Sequence, residues 1–435
     1  MSQLAARLSN RINVRTVHSS LATPVGKAGV VLFALAQSDW QAPVGVRPAL
    51  QFPADPLPWA VRVYRLAITQ AGQAGALPGL NQVDGAGNPR PSLLRDAAAL
   101  AVQGSSGPVE VVVLLTRELD AGGNPGRSLA PWEFDPGSFR QAEEYRQALE
   151  TVLRTWTGGV LVFPDVGGPA ELAPGLQAAS LEERRARMVQ SLLYLSRDIT
   201  ARYQVILADA VAGHRHALES DQWLEPLLGL DIGICAWSGT GDDLERHGWR
   251  SAAALVAVTL AQPANRMPGL LGRRLPLGAG RSRPERWEPQ RDRSLRKADS
   301  SLMVTLKIQG ESAVITDEMS LRRPLGNWPV AAVYAARKVV RILEETASKF
   351  VFQPGNLVTV GDLQFAIRLA LEGMVRDGIL GGENRPMPDI QASLEGDRTQ
   401  PVLVALVRAV LRPWLVALVV DINIARNTGA TLTLR

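Results

Sequence analysis

The sequence predicts an α/β protein, with an α/β core domain, a C-terminal α+β domain and extended N- and C-terminal β-arms. Three observations carry that expectation. Short apolar runs alternate with helix-length amphipathic stretches between residues 105 and 274, the pattern of a mostly parallel sheet with right-handed crossovers. A second set of helix and strand patterns follows an Arg- and Pro-rich break at 275–300. Both ends of the chain carry alternating, β-prone segments, at Ile12–Val17 and Leu418–Leu434.

The composition supports a packed protein and narrows its class. Hydrophobic residues make up 46% of the 435 and charged residues 20%, which excludes disorder over most of the length. Lys and Arg number 47 against 42 Asp and Glu, a net charge of +5. That excess is too small for this length to point to nucleic acid. A single cysteine, Cys235, excludes a disulfide framework and any Cys-based zinc site. The longest apolar runs, Ala252–Leu260 and Trp414–Val420, are shorter than the roughly 20 residues of a membrane helix. Met1–Arg15 lacks the continuous apolar centre of a signal peptide. The expectation is a soluble, cytoplasmic, multi-domain protein with neither membrane insertion nor a nucleic-acid partner.

Taken in order, Ile12–Val17 alternates with β-branched residues and reads as a strand, with no turn at hairpin distance to supply a partner. Gly29–Ala36 and Trp59–Ile68 are further strand candidates, and the Gly/Pro/Asn/Gln-rich 71–91 is a loop. Val109–Leu115 reads as a strand, Gly122–Gly126 as a loop, Ser138–Thr155 as a helix and Gly159–Phe163 as a strand ending in Pro164-Asp165. Over Leu181–Thr200, Met188, Leu192, Leu195 and Ile199 recur at helical spacing while Glu182 and Glu183 occupy the first turn. Gln204–Ala208 and Asp231–Trp237 are strands separated by a helical pattern. Arg281–Lys297 is dense in Arg, Pro and Glu with one aromatic, Trp287, and reads as a solvated loop.

Beyond that loop, Leu302–Lys307 and Ala313–Ile315 read as short strands opening a second compact region. Val330–Phe350 is a strongly amphipathic helix, whose polar face carries Arg337, Lys338, Arg341, Glu344, Glu345 and Lys349. Gly361–Asp377 is another helix, closed by Gly378. Val402–Val410 and Leu415–Ile424 read as strands flanking Arg412-Pro413, and Thr431–Leu434 as a last alternating piece. The expected domains are therefore an N-terminal arm (1–20), a β-rich part (21–104), the α/β core (105–274), the basic loop (275–300), an α+β domain (301–417) and a C-terminal arm (418–435).

Chemistry-bearing clusters are sparse. Asp209 with His214 and His216 is the nearest approach to a metal set, but the spacing suits a loop and no fourth ligand lies nearby. The segment Ser238–Asp243 follows a strand, yet it lacks both the third glycine of a dinucleotide loop and a Gly-Lys-Ser/Thr. No Gly-x-Ser-x-Gly elbow occurs. The enzyme alternative is thus a loop-borne acidic site around Asp209, His214 and Asp242, and the leading expectation is a protein with no catalysis, cofactor or metal. Strand-like ends allow a different kind of work: an unpaired edge recruits another chain, and open head-to-tail contacts build helical polymers. The alternative, that both segments pair within the molecule, stays open on sequence grounds.

A family resemblance bears on that choice. Ala335–Leu343, then Phe350-Val351-Phe352-Gln353-Pro354-Gly355-Asn356, then Phe365–Met374 and Asp377–Gly382 resemble, in type and order, a stretch of contractile tail sheath proteins of phages and related injection systems. Leu411-Arg412-Pro413-Trp414 with Val419–Ile424 is similar to that family's closing strands. Val160–Asp165 and Arg202–Asp209 look like its strand–Pro-Asp and helix–strand–Asp elements. The likeness spans roughly 105–425 and is that of a divergent member: Ala236-Trp237-Ser238-Gly239 stands where typical sheaths carry Pro-Pro-Ser-Gly, and Arg322-Arg323-Pro324 where they carry Arg-Thr. The resemblance implies a sheath core domain at 105–274 and a subunit that polymerises around an inner tube, linked by arms that add strands to a neighbour's sheet. By that analogy the arm residues are Ile12, Asn13, Val14, Arg15 and Val17 at one end. At the other they are Val419, Asp421, Ile422, Asn423, Ile424, Leu432 and Leu434. The same analogy makes Arg337, Lys338 and Arg341 candidates to face the tube. The implied partners are further copies of the chain, an inner tube protein, baseplate or cap proteins and sheath paralogues. The implied place is a phage tail-like particle assembled in the cytoplasm, with no cofactor.

Overall fold

The structure, a computed structural model, describes strand backbones at 29–34, 50–52, 59–68, 109–119 and 125–128. It further describes 160–163, 181–194, 205–210, 221–237, 251–261, 269–276, 303–309, 312–322, 328–397, 400–425 and 429–434, with Ala97 and Ser196 as single residues. The expected strand Ile12–Val17, the helix over 138–155, His214, His216, Asp242 and the basic loop lie outside the described residues. The chain divides into two compact units: Met1–Gln262 with Leu271–Leu321, and Pro263–Leu270 with Arg322–Arg435.

The first unit is built on one 11-stranded sheet. Its strands are β1 (Gly29–Ala34), β2 (Leu50–Phe52), β3 (Trp59–Ile68), β4 (Val109–Leu119), β5 (Pro125–Ser128), β6 (Val160–Phe163), β7 (Val205–Asp209), β8 (Ile232–Trp237), β9 (Arg274–Pro276), β10 (Met303–Gln309) and β11 (Ser312–Glu318). They lie in the order β2-β3-β4-β1-β6-β7-β8-β10-β11-β9, with β5 on β4. From β4 through β10 every neighbouring pair is parallel, and antiparallel strands extend both sides. This is the α/β class that the alternation of runs predicts. The central strands read as unbroken apolar runs because both faces are covered: Val160–Phe163 and Val205–Asp209 are buried at every position.

Among the described residues, this unit carries the helices α1 (Leu181–Tyr194) and α2 (Ala252–Leu260). In α1, Met188 and Leu192 are buried at i,i+4 spacing while Glu182 and Glu183 favour its positive N-terminal end. All nine residues of α2 are buried, so its all-round apolar sequence is that of a core helix packed on β1, β6, β7 and β8.

The second unit holds α3 (Val330–Ala347), α4 (Leu357–Arg376) and strands β12 (Leu380–Gly381), β13 (Asp389–Asp397), β14 (Gln400–Leu411), β15 (Val416–Ala425) and β16 (Gly429–Leu434). The sheet runs β12-β14-β15-β16, with β13 beside β12 on the same edge of β14, and every pair is antiparallel. Leu403, Ala405, Val407, Ala409 and Leu411 alternate into the core from β14, and Leu418, Val420, Ile422 and Ile424 from β15. Over β14–β16 packs α3, and α4 lies along β13.

Boundaries differ from the sequence reading in two places. β10 and β11 join the first unit, although the composition break at 275–300 suggested a domain border. The reason is register: β11 pairs β9 (Ala313 with Leu275) and β10 pairs β8 (Val304 with Cys235), so the chain on either side of the basic stretch returns to one sheet. Thr305 and Thr316 tie β10 to β11 through their hydroxyls at 2.8 Å. The residues 418–435, read as a separate arm, sit in the second unit as β15 and β16.

Candidate functional site: an open sheet edge

β16 is the terminal strand of the second sheet. Gly429, at φ +79°, turns the chain into it, a conformation that costs glycine nothing. Ala430, Leu432 and Leu434 are half-buried on the face that α3 packs against, while Thr431 and Thr433 are exposed on the other. Its inner edge pairs β15 from Val420–Leu434 to Ala425–Gly429. Among the described residues no strand pairs its outer edge. Gly429–Leu434 (GATLTL) also carries none of the charges, prolines or bulges with which edge strands are protected. The opposite edge of the sheet is treated differently. There the Gln364 side chain on α4 donates to the Ile390 carbonyl of β13 at 2.7 Å, a helix-borne group laid against the strand.

The arm residues expected on this side fall into two environments. Val419, Asp421, Ile422, Asn423 and Ile424 lie on β15, which is paired by β14 on one side and β16 on the other. Ile422 and Ile424 are core residues, Asn423 is exposed, and Val419 and Asp421 are intermediate. Leu432 and Leu434 alone of the set sit on the edge strand. Ile12, Asn13, Val14, Arg15 and Val17 lie outside the described residues.

Arg337, Lys338 and Arg341 share the outer face of α3, as the spacing predicts, and all three are half-buried. Burial, then the neighbouring Arg341, holds the Lys338 ammonium below its ordinary range, with Asp377 opposing. Arg341 Nε donates to Glu345 Oε1 at 2.9 Å, one turn along the helix. The trio is therefore a partly shielded, partly neutralised face. Ahead of α3, Arg322 is buried and lies 4.9 Å from the Trp328 ring centroid.

Asp209, centre of the enzyme alternative, has a structural task. It ends β7, fully buried, and both carboxylate oxygens are used. Ser251 Oγ donates to one at 2.5 Å and the Ala253 N–H to the other at 2.9 Å. Ser251 Oγ in turn accepts from Ala254 N at 3.1 Å, capping α2. Burial raises the Asp209 pKa to about 7 against the pull of these donors. Its register partner Cys235 is buried too, and burial, with Asp209 beside it, pushes the thiol well above its usual range. A serine immediately before the apolar run Ala252–Leu260 is a signal for such a cap, one that the sequence reading left unused. Gln364 and β13 carried no such signal, because Asp389–Asp397 (DIQASLEGD) mixes charges, glycine and apolar residues without a strand's β-branched run.

The chain matches no protein-family model and no curated protein. Solved structures similar to it include the helical sheath of the anti-feeding prophage in its contracted state, at 14% identity and TM-score 0.46, covering 86% of this chain and 84% of that one. The anti-feeding prophage baseplate gives 13% identity and TM-score 0.48, covering 86% of each chain. The contracted sheath complex of an extracellular contractile injection system (PVC) gives 11% and 0.48, covering 86% of this chain and 84% of that one.

Proposed function

We propose that this chain is the structural subunit of a contractile sheath, which polymerises helically around an inner tube and contracts to drive it through a target envelope. The observation that carries the reading is the unguarded outer edge of β16, beside β15, whose Val419–Ile424 resembles a closing strand of sheath proteins. An incoming strand would satisfy the row of main-chain groups there and extend the sheet into the next copy. The sequence supplies a donor of matching length: Ile12–Val17 and Gly429–Leu434 each span six residues. Alternating side chains would set the register of the added strand, since a slip by one residue turns its apolar set to the wrong face.

Linked in this way, subunits would rotate during contraction while their backbones stayed joined. The driving energy would be held in a higher-energy extended lattice, so the reading calls for no nucleotide, cofactor or metal. Arg337, Lys338 and Arg341 are the residues we assign to the tube side. Baseplate or cap proteins and sheath paralogues would terminate the polymer, within a phage tail-like particle assembled in the cytoplasm. Among the described residues no helix is long and apolar enough to cross a membrane.

Single prolines at neighbouring positions of β16 test the edge. Adjacent residues point their N–H groups to opposite sides of a strand. Of Leu432→Pro and Thr433→Pro, one therefore keeps its pairing to β15 and loses only an outward donor. That variant is expected to melt like the wild type yet fail to polymerise. Full polymerisation by both variants would sink the strand-addition mechanism.

A further inference from the structure

Two apolar features of the second unit are exposed away from the β16 edge. One is a single side chain, Leu415 at the turn between β14 and β15, 85% exposed and held at φ +53°. The other is the outer side of α4, and it carries a pattern. Thr359, Leu363, Ile367, Leu371 and Met374 form the helix's buried stripe. On the opposite side Asp362, Phe365, Leu369, Gly373 and Arg376 follow one another at spacings of three, four, four and three, and all five are exposed. A helix with an apolar strip on each face has one more surface to bury than its own unit covers.

The outer stripe is symmetric about Leu369 in spacing and complementary in chemistry. Seven residues before Leu369 stands an acid, Asp362, and seven after it a base, Arg376. Four before it stands the bulky Phe365, 67% exposed, and four after it Gly373. Glycine weakens a helix relative to alanine. A Cβ built on Gly373 meets nothing within 4 Å, so no neighbour within the chain requires so small a residue there. Among the described residues neither Asp362 nor Arg376 has an ion-pair partner. The other exposed charges of the helix, Arg368 and Glu372, flank the stripe one turn apart and are opposite in sign. The stripe is thus neutral as a whole, with its acid toward the start of the helix and its base toward the end.

We propose that the outer stripe of α4 pairs with the same stripe of a second copy of this chain, the two helices running antiparallel about a two-fold axis at Leu369. Residues equally far from Leu369 on opposite sides then face one another. Asp362 meets the partner's Arg376 and Arg376 the partner's Asp362, while each Phe365 ring enters the space left over the other copy's Gly373. The two Leu369 side chains touch at the centre. A parallel pairing would set Asp362 beside Asp362 and Arg376 beside Arg376, so the charges select the antiparallel arrangement. From Asp362 to Arg376 the stripe runs roughly 21 Å. Such a contact is closed: it uses each stripe once and does not propagate. It stands apart from strand addition, since chains can pair through α4 whether or not β16 receives a strand.

Crosslinking of the full chain tests the pairing, read on a denaturing gel so that polymers held by added strands fall apart into single chains. Cys235, the one native cysteine, is buried, so wild type treated with a short bismaleimide should run as a monomer. Leu369→Cys places a thiol on the axis and should give a covalent dimer. Leu357 is the more exposed of the two positions but lies twelve residues from the axis. Two thiols from Leu357→Cys would stand roughly 36 Å apart, and that chain should stay monomeric. In the Leu369→Cys chain, Asp362→Lys or Arg376→Glu alone should cut the dimer yield about tenfold, because like charges then face across the axis. Both together exchange the charges and should restore it, whereas damage to the helix would add up; circular dichroism melts should stay unchanged throughout. No dimer from Leu369→Cys, equal crosslinking from Leu357→Cys, or a double variant no better than the singles would overturn the pairing and leave the β16 reading standing. A dimer on the gel from a chain that builds no tubes or rings would keep the pairing and overturn strand addition.

Discussion

Asp209 shows how a residue with catalytic looks is spent on packing. Its carboxylate sits at the end of a buried parallel strand, where α/β folds often place reactive groups, yet its oxygens are committed to Ser251 and the first turn of α2. Ser251→Ala removes a donor to Asp209 and the cap of a wholly buried helix, and should cost about 1–3 kcal/mol in urea-unfolding stability. Charge gives a second test. The folded pKa of Asp209, about 7, lies above the 3.8 of an ordinary aspartate. The unfolded chain therefore gives up this proton first, and the group's stabilising contribution is complete below pH 4 and lost as pH rises through 7. Asp209→Asn should flatten the stability–pH profile across that window while leaving other slopes in place, as read by urea midpoints at each pH. An unchanged profile would mean the carboxyl is not the buried titrating group.

At the level of elements, the second unit's helices divide their faces unequally. Ile367 is fully buried on α4 and Phe365, two residues away, is 67% exposed. Ile367→Ala should therefore cost about 2–5 kcal/mol, and Phe365→Ala less than about 0.5 kcal/mol, in chemical denaturation of the isolated chain. At the start of the same helix, Asn356 Oδ1 accepts from Thr359 N at 2.9 Å, so Asn356→Ala should cost about 1 kcal/mol.

The stop of α4 was legible in the sequence, because Gly378, with φ +73°, closes it as a left-handed C-terminal residue. Its start was not. Capped by Asn356, the helix begins at Leu357, four residues ahead of the expected Gly361, since Val358, Thr359 and Val360 read as β-branched and carry little helical signal. The same reasoning explains the strands. β14 and β15 announce themselves as long apolar runs, and β12 and β9, of two and three residues, are too short to show any period. Of the candidate edge, Leu432 and Leu434 were visible as an alternating pair. What alternation could not convey is which of two neighbouring strands lies outermost, because pairing order is a tertiary property.

For the whole molecule, the two units present different physics. In the first, β6, β7 and α2 are buried throughout, and Asp209 and Ser251 are satisfied internally. The second leaves work unfinished: an outer strand without edge protection, a helix with a second apolar stripe and a strained leucine at a turn. Such features are liabilities for a monomer and assets for an assembly, where each is repeated and covered in every copy. A net charge of +5 on 435 residues matters little as a total under this view.

The central claim is that copies of this chain assemble by adding a strand to one another's sheet. Negative-stain microscopy of the purified full chain beside a chain lacking residues 1–18 addresses it most directly. The account predicts tubes or rings from the full chain and discrete single particles from the truncated one. Tubes of the same form from both would contradict it.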